Sequence, residues 1–180
     1  MMARSWQGRH DPTKYRGHGR EPIRSGKTPA LRPRTLLSAI VAALVAQPAV
    51  ACVGVPGPGL VRLTVLATGV RDARGEIAVT VYPDVKRRFL AKGGKLSRAR
   101  VPAVAGTTEA CFWLAPGSYP VAVYHDANGD RDFNRTLFYP KEGFGFSNDA
   151  PTTFGLPAFD KVRAPVGPGA TTLRIRMRYP

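Results

Sequence analysis

The stretch Thr171-Thr-Leu-Arg-Ile-Arg-Met-Arg-Tyr179 alternates apolar and basic side chains from Leu173 to its end. Successive side chains of an extended chain point to opposite faces, so this period of two predicts a β-strand with one buried and one solvated face. The apolar face takes Leu173, Ile175, Met177 and Tyr179, and the solvated face takes Arg174, Arg176 and Arg178. Outward arginines also discourage pairing with another molecule if the strand lies at the edge of a sheet.

Four further segments, all earlier in the chain, are rich in β-branched residues or alternate apolar and polar side chains. They are Leu60–Leu66, Glu76–Tyr82, Thr107–Leu114 and Tyr119–Tyr124. No segment after residue 51 has the 3.6-residue apolar period of a long helix, and residues 84–106 are interpreted as a long, partly helical connection. Short strands separated by turn signals predict an all-β fold, an antiparallel β-sandwich of the Ig-like or prealbumin-like type.

Residues 1–51 predict a signal peptide. Nine basic residues against two acidic ones precede the run Leu36–Ala46, which is apolar except for Ser38, and Ala49-Val-Ala51 supplies a cleavage site. Eleven residues are too few for a transmembrane segment, which needs about 20. We therefore predict a periplasmic or secreted protein, with residues 52–59 as a flexible lead-in and 60–180 as a single β-sandwich domain.

Both cysteines, Cys52 and Cys111, lie after the predicted cleavage site. Outside the cytosol two lone thiols most often pair, which predicts a disulfide bond between them. A lipid anchor on Cys52 is the alternative, although Ala49 stands where lipoprotein cleavage sites prefer Leu. The sequence leaves both fates of Cys52 open.

Residues 52–180 carry 18 basic and 10 acidic residues, a net charge of +8. Seven of the basic residues fall within 86–100: Lys86, Arg87, Arg88, Lys92, Lys95, Arg98 and Arg100. Such a run is usually a solvated loop, and its functional interpretation is contact with an anionic envelope surface. Nucleic acid is not a predicted partner, because the compartment is wrong and Phe89 is the one aromatic residue in this run.

The acidic run Tyr124–Asn134 places oxygen-bearing side chains at every second position. The predicted metal ligands are Asp126, Asn128, Asp130 and Asp132, with Glu142 folding back as a distant fifth ligand. Alternating hard oxygen ligands on a curling loop are typical of calcium sites, which makes calcium the predicted cofactor.

The same run departs from an EF-hand calcium loop. Gly129 is at the fourth position rather than the sixth, and Leu137 occupies the position of the bidentate glutamate. A turn in which Asp and Asn side chains cap their own backbone needs no metal. Ion pairs with Arg131 and Arg135 would likewise satisfy the carboxylates. The sequence alone leaves these interpretations open.

Residues 126–169 are rich in Gly, Pro and Phe, which predicts one long loop. Such loops are usually functional or disordered. Its five phenylalanines argue for order, because aromatic rings supply buried area: Phe133, Phe138, Phe144, Phe146 and Phe154. In Glu142-Gly-Phe-Gly-Phe-Ser-Asn148 the two rings either pack in the core, which is the default, or form a platform for a carbohydrate or peptide.

His125 is the one histidine after residue 51. Together with Asp126 and Glu142 it defines the alternative function, a secreted hydrolase. A nucleophile, a base and an orienting group must be in register for that chemistry, and Ser147 lies in no Gly-x-Ser-x-Gly motif. A structural histidine whose ring nitrogens bond the long loop is the favoured interpretation.

Residues 114–130 (Leu-Ala-Pro-Gly-Ser-Tyr-Pro-Val-Ala-Val-Tyr-His-Asp-Ala-Asn-Gly-Asp), 140–148 (Pro-Lys-Glu-Gly-Phe-Gly-Phe-Ser-Asn) and 157–159 (Pro-Ala-Phe) carry a family resemblance. In this order they resemble the bacterial family called domain of unknown function 2141, over roughly residues 60–179. The resemblance implies an exported β-sandwich protein and no biochemical activity. We therefore expect a non-enzymatic, envelope-associated binding or structural module.

Overall fold

Two β-sheets dominate the computed structural model, which describes residues 51–136, 139–152 and 155–180. The predicted signal peptide, apart from Ala51, lies outside these residues, and so do Leu137, Phe138 and Phe154 of the long loop. Strands far outnumber helices in the described chain, which confirms the all-β prediction. Within the same ranges no helix has the length and apolar character needed to cross a bilayer.

The described ranges contain ten strands and one short α-helix. They are β1 (Val61–Val70), β2 (Glu76–Val81), β3 (Ser97–Pro102), β4 (Gly106–Leu114), β5 (Gly117–Asp126), β6 (Arg135–Thr136), β7 (Tyr139–Pro140), β8 (Phe144–Phe146), α1 (Phe159–Val162), β9 (Arg163–Val166) and β10 (Thr171–Arg176). The five strands predicted from residue alternation correspond to β1, β2, β4, β5 and β10.

One hydrophobic core includes the inward side chains of both sheets. The first sheet has the strand order β10-β1-β4, and the second has the order β3-β2-β5-β8, with β9 pairing to the start of β5. Leu63 and Phe112 from the first sheet belong to the same buried cluster as Val79 and Val123 from the second. Burying a side chain of this size contributes about 1.5–3 kcal/mol, so the core stabilises the pairing of the two sheets.

Strand β10 lies at the edge of the first sheet and follows the predicted alternation. Ile175 is buried, whereas Arg174 and Arg176 are exposed, and Met177, directly after the strand, is buried as well. Its pairing with β1 is parallel, with Leu63 opposite Thr171, while the other pairs of named strands in the described chain are antiparallel. The expectation of a wholly antiparallel sandwich is therefore wrong at this pair. Parallel neighbours cannot be joined by a tight hairpin, and here nearly the whole domain forms the connection.

Residues 84–106 are more ordered than the predicted connection. They contain a 3₁₀ turn at Lys86–Arg88 and then β3, which pairs antiparallel with β2. Alternation is present in β3, since Arg98 and Arg100 are flanked by the smaller Ala99 and Val101. Strand β3 was not predicted from the sequence because this region contains so many charged residues.

The predicted long loop also contains β8 and β9, which join β5. Gly145 of β8 faces the core, where an added Cβ would lie 2.6 Å from the carbonyl oxygen of Arg176. At Gly143 an added Cβ would collide with the Tyr179 ring. The alternating glycines therefore let β8 approach the end of β10, and they direct Phe144 and Phe146 to the outer face of the sheet.

The predicted disulfide bond joins Cys52 to Cys111 of β4. Next to it, the Val53 N–H donates to the Cys111 carbonyl oxygen at 2.9 Å, and the Trp113 N–H donates to the Val53 carbonyl oxygen at 3.0 Å. The start of the lead-in is thus tied covalently and by backbone hydrogen bonds to the edge of the first sheet.

Candidate functional site

The acidic run begins where β5 ends. In the register of β2 and β5, His125 is opposite Ile77 and Asp126 is opposite Glu76. Consecutive strand residues point to opposite faces, so the side chains of His125 and Asp126 lie on opposite faces of the second sheet. Both are buried, with side chains that are 1% and 0% exposed.

Asp126 forms the base of the acidic loop. Its Oδ1 accepts the Gly129 N–H at 2.8 Å, and its Oδ2 accepts the Arg131 N–H at 2.8 Å and Nη1 of Arg100 at 3.0 Å. A buried carboxylate needs such partners, and these three donors fix the turn that follows β5. Of the two arginines predicted to pair with the loop, Arg131 supplies a backbone N–H, and Arg135 forms no described ion pair.

Arg100 is the charge partner that the sequence did not reveal. Its Nη2 donates to the Tyr124 hydroxyl at 2.6 Å and to the Arg131 carbonyl oxygen at 2.8 Å, while Nη1 lies 3.5 Å from Glu76. Strand register explains the contact between Arg100 and Tyr124, because Ala78 of β2 is opposite Arg100 on one side and opposite Tyr124 on the other. The signal was available only in the alternation of β3.

The tip of the loop is exposed and held by its own side chains. Asp130 accepts Nδ2 of Asn134 at 2.7 Å, Nδ2 of Asn128 at 2.8 Å and the Asp132 N–H at 2.9 Å. The hydrogen bond from Asn134, followed by the other two, lowers the pKa of Asp130. These contacts are the side-chain capping that the sequence left open as an alternative to calcium. Among the described residues, Asp132 has no hydrogen-bond or ion-pair partner for its carboxylate.

Glu142 returns to this loop from the beginning of the β8 segment. Its Oε2 accepts the Asn134 N–H at 3.0 Å, and Oε1 lies 3.4 Å from Nδ2 of Asn134. Burial raises the pKa of Glu142, and the negative charges of Asp126 and Asp130 raise it further. One oxygen from each of Asp126, Asp130 and Glu142 falls within 4.8 Å of the others.

Three of the five predicted ligands therefore form one carboxylate cluster, defined as Asp126, Asp130 and Glu142. Asn128 contacts this cluster through Asp130, and Asp132 lies outside it. In the described chain, Arg100 alone forms an ion pair with the cluster. One guanidinium against three carboxylates leaves an excess of negative charge, which favours a cation or a proton at this point.

His125 is held away from the carboxylate cluster. Its Nε2 lies 2.7 Å from the Arg74 carbonyl oxygen, and its Nδ1 lies 2.9 Å from the Tyr179 hydroxyl. A carbonyl only accepts, so we assign the proton to Nε2, and Nδ1 then accepts from the hydroxyl. The Tyr179 oxygen in turn accepts the Arg71 N–H at 3.0 Å. The partners lie in the β1–β2 turn and after β10, rather than in the long loop as predicted.

The seven-residue basic cluster is divided by the fold. Arg98 and Arg100 are half-buried on β3, and Arg88 is half-buried in the 3₁₀ turn. The remaining four side chains are exposed: Lys86, Arg87, Lys92 and Lys95. Four of the seven residues predicted to contact an anionic surface are therefore exposed, and the other three are partly covered by the fold.

The family described as "Uncharacterized protein conserved in bacteria (DUF2141)" matches residues 65–174. The chain belongs to this family. The DUF2141 match begins in β1 and ends in β10, so it spans both sheets and the carboxylate cluster, and it confirms the resemblance found in the sequence. No curated protein and no solved structure matches the chain significantly.

Proposed function

We propose that this DUF2141 protein is an exported, non-enzymatic, envelope-associated binding or structural module whose acidic loop binds calcium. The disulfide bond supports a periplasmic or secreted location, because such bonds persist in oxidising compartments. Two sheets that share one core support the Ig-like or prealbumin-like form of the β-sandwich.

The observation that carries the calcium proposal is the distance of 4.8 Å or less among oxygens of Asp126, Asp130 and Glu142. Calcium takes six to eight oxygen ligands, and its charge would offset the excess that Arg100 leaves. Asn134 donates to both Asp130 and Glu142, so a half-turn of its amide would present a carbonyl oxygen to the same point. Water would complete the coordination.

Calcium titration by calorimetry tests this proposal. The wild type should bind with a Kd of about 10⁻⁴–10⁻³ M, as extracellular modules do. Asp130→Asn should weaken binding about tenfold or more, whereas the matched Asp132→Asn should change it by less than about twofold. Absence of heat at millimolar calcium, or equal binding by Asp130→Asn and wild type, would contradict the proposal.

The contacts of His125 support a non-enzymatic function over the hydrolase alternative. Both ring nitrogens are occupied, the side chain is 1% exposed, and Asp126 points to the other face of the sheet. Ser147 is also fully buried, where its hydroxyl contacts the backbone of Val121 and Val162. A base and a nucleophile that are both enclosed by protein atoms cannot reach a substrate without rearrangement.

The four exposed basic residues support a contact with an anionic envelope surface. Lys86, Arg87, Lys92 and Lys95 lie along one connecting segment between β2 and β3, free of ion pairs in the described chain. We expect salt-sensitive binding to vesicles that contain anionic lipid, because exposed charges are screened by salt. Replacing all four with Gln should abolish that binding, and equal retention by the variant would exclude this surface.

A further inference from the structure

The outer face of the second sheet carries a cavity of about 280 Å³. Its floor is made of Thr80 and Ala122, which are opposite each other in the register of β2 and β5. Larger residues flank this small pair, since Arg98 is opposite Thr80 on β3 and Phe146 is opposite Ala122 on β8. The cavity follows from this cross-strand row of one large, two small and one large side chain.

Aromatic rings form much of the wall. Phe133 packs edge-to-face against Tyr124 with centroids 5.6 Å apart and against Phe144 at 6.0 Å, and Phe144 meets Phe146 at 6.1 Å. Rings in mutual edge-to-face contact hold one another in place and present both edges and faces to a neighbour. This wall is therefore suited to a flat apolar group.

Two arginine side chains line the same cavity, and neither has a negatively charged partner among the described residues. Arg98 is half-buried, its Nε donates to the Thr80 hydroxyl at 2.7 Å, and its guanidinium carbon lies 5.9 Å from the centre of the Tyr124 ring. In the part of the chain that the structure describes, no carboxylate forms an ion pair with Arg98 or with Arg135, which also lines the cavity. Arg100, two residues along β3, differs because it is paired with Asp126.

No Asp or Glu is found among the described residues that line this cavity. A guanidinium partly withdrawn from water gains from a planar anion that can accept two hydrogen bonds, and carboxylate has this geometry. The volume is slightly below the range of about 300–1,000 Å³ that is usual for ligand sites, which limits the occupant to about one ring.

We propose that this cavity binds a small aromatic carboxylate. Arg98 and Arg135 hold the carboxylate, and Phe133, Tyr124 and Phe144 surround the ring. The site is separate from the carboxylate cluster, uses none of its ligands, and gives the binding module a ligand of defined chemistry.

The test is calorimetric titration of the purified full-length chain with 3-phenylpropionate, 3-phenyl-1-propanol and 3-cyclohexylpropionate. The alcohol removes the charge, and the cyclohexyl acid removes the aromatic character at similar size. We expect 3-phenylpropionate to bind, the alcohol to bind at least about tenfold more weakly, and the cyclohexyl acid to bind several-fold more weakly. Equal affinity for the acid and the alcohol would overturn the proposal, as would absence of acid binding at millimolar concentration.

Arginine variants test which side chains bind the carboxylate of the ligand. Arg98→Gln should weaken 3-phenylpropionate about tenfold, and Arg135→Gln, at an exposed position that does not support the fold, should weaken it several-fold. Arg98→Lys should retain part of the affinity. The control is Arg174→Gln, an exposed arginine of β10 on the other sheet, which should bind like wild type. Wild-type affinity in both Arg98→Gln and Arg135→Gln would refute this assignment.

Discussion

The base and the tip of the acidic loop contain aspartates at the same two-residue spacing but in opposite environments. Asp126, at the base, is fully buried and accepts three hydrogen bonds, one of them from Arg100. Asp132, at the tip, is exposed, and its carboxylate has no hydrogen-bond or ion-pair partner among the described residues. Spacing sets the direction of a side chain, whereas burial and neighbouring donors decide how far it contributes to the fold. Asp126 both anchors the turn and belongs to the carboxylate cluster, while Asp132 does neither.

Asp126→Ala should have the largest effect on stability. It leaves the Arg100 guanidinium without its buried partner and removes the acceptor for the Gly129 and Arg131 N–H groups, so we expect a loss of about 3–5 kcal/mol. Urea denaturation at neutral pH measures this loss. Asp126→Asn keeps one carbonyl oxygen and should recover a part of it. A loss below about 1 kcal/mol for Asp126→Ala would mean that the base is no more structural than the tip.

Replacing both Cys52 and Cys111 with Ser should lower the free energy of unfolding by about 2–4 kcal/mol, because the crosslink restricts the unfolded chain. The bond lies at the edge of the first sheet, away from the loop base on the second. Calcium affinity should therefore stay within about twofold of wild type when both are measured under folding conditions. A parallel loss of calcium affinity would show that the loop depends on global stability.

Glu142→Gln should change the pH dependence of stability in the presence of a chelator. The pKa of Glu142 is raised above its ordinary 4.5, so the folded state holds this proton more tightly than the unfolded state. Its contribution to stability is therefore greatest at low pH and is lost as the pH rises from 4.5 through the folded pKa. Glu142→Gln has no titratable group at this position, so its stability does not fall in this way. Urea unfolding between pH 4 and pH 8 should show wild type falling relative to Glu142→Gln, and parallel curves would contradict the raised pKa.

The smallest effects are expected at the tip. Asp130→Ala removes an acceptor of three exposed hydrogen bonds and should cost about 1 kcal/mol, whereas Asp132→Ala should stay within about 0.5 kcal/mol of wild type. Thermal unfolding of the two variants side by side makes the measurement. A larger loss at Asp132 than at Asp130 would reverse the order that the contacts imply.

Strands with a buried face could be predicted from the sequence. In β4, for example, Thr108, Ala110, Phe112 and Leu114 are all buried, as their alternation indicates. Strand β3 escaped prediction because Arg98 and Arg100 lie on its outer face, where long side chains extend over the sheet. Strand β8 is three residues long and contains Gly145, and its pairing partners are residues 122–124 of β5 and Arg178 after β10, so no local pattern reports the pairing.

The candidate site could be predicted only in its local part. The acidic spacing and the choice of Glu142 as a distant partner gave the three members of the carboxylate cluster, together with Asn128 and Asp132, which are not among its members. Arg100 and the cavity beside Arg98 could not be found in this way, because both arise from register across β3, β2 and β5. Chain neighbours determine the loop, whereas the hydrogen bonds of Arg98 to Thr80 and of Arg100 to Tyr124 on the outer face join residues 18 and 24 positions apart.

The parallel pairing of β1 with β10 also constrains the order of folding. Leu63 and Thr171 are opposite each other although 108 positions (171 minus 63) separate them, and β1 is the middle strand of its sheet. Until β10 is available, β1 has one unpaired edge and the core lacks Ile175. Closing so long a segment is entropically costly and slow, so a partly emerged chain remains open. For a protein exported as proposed, completion of the sheet then coincides with arrival of the whole domain on the far side of the membrane.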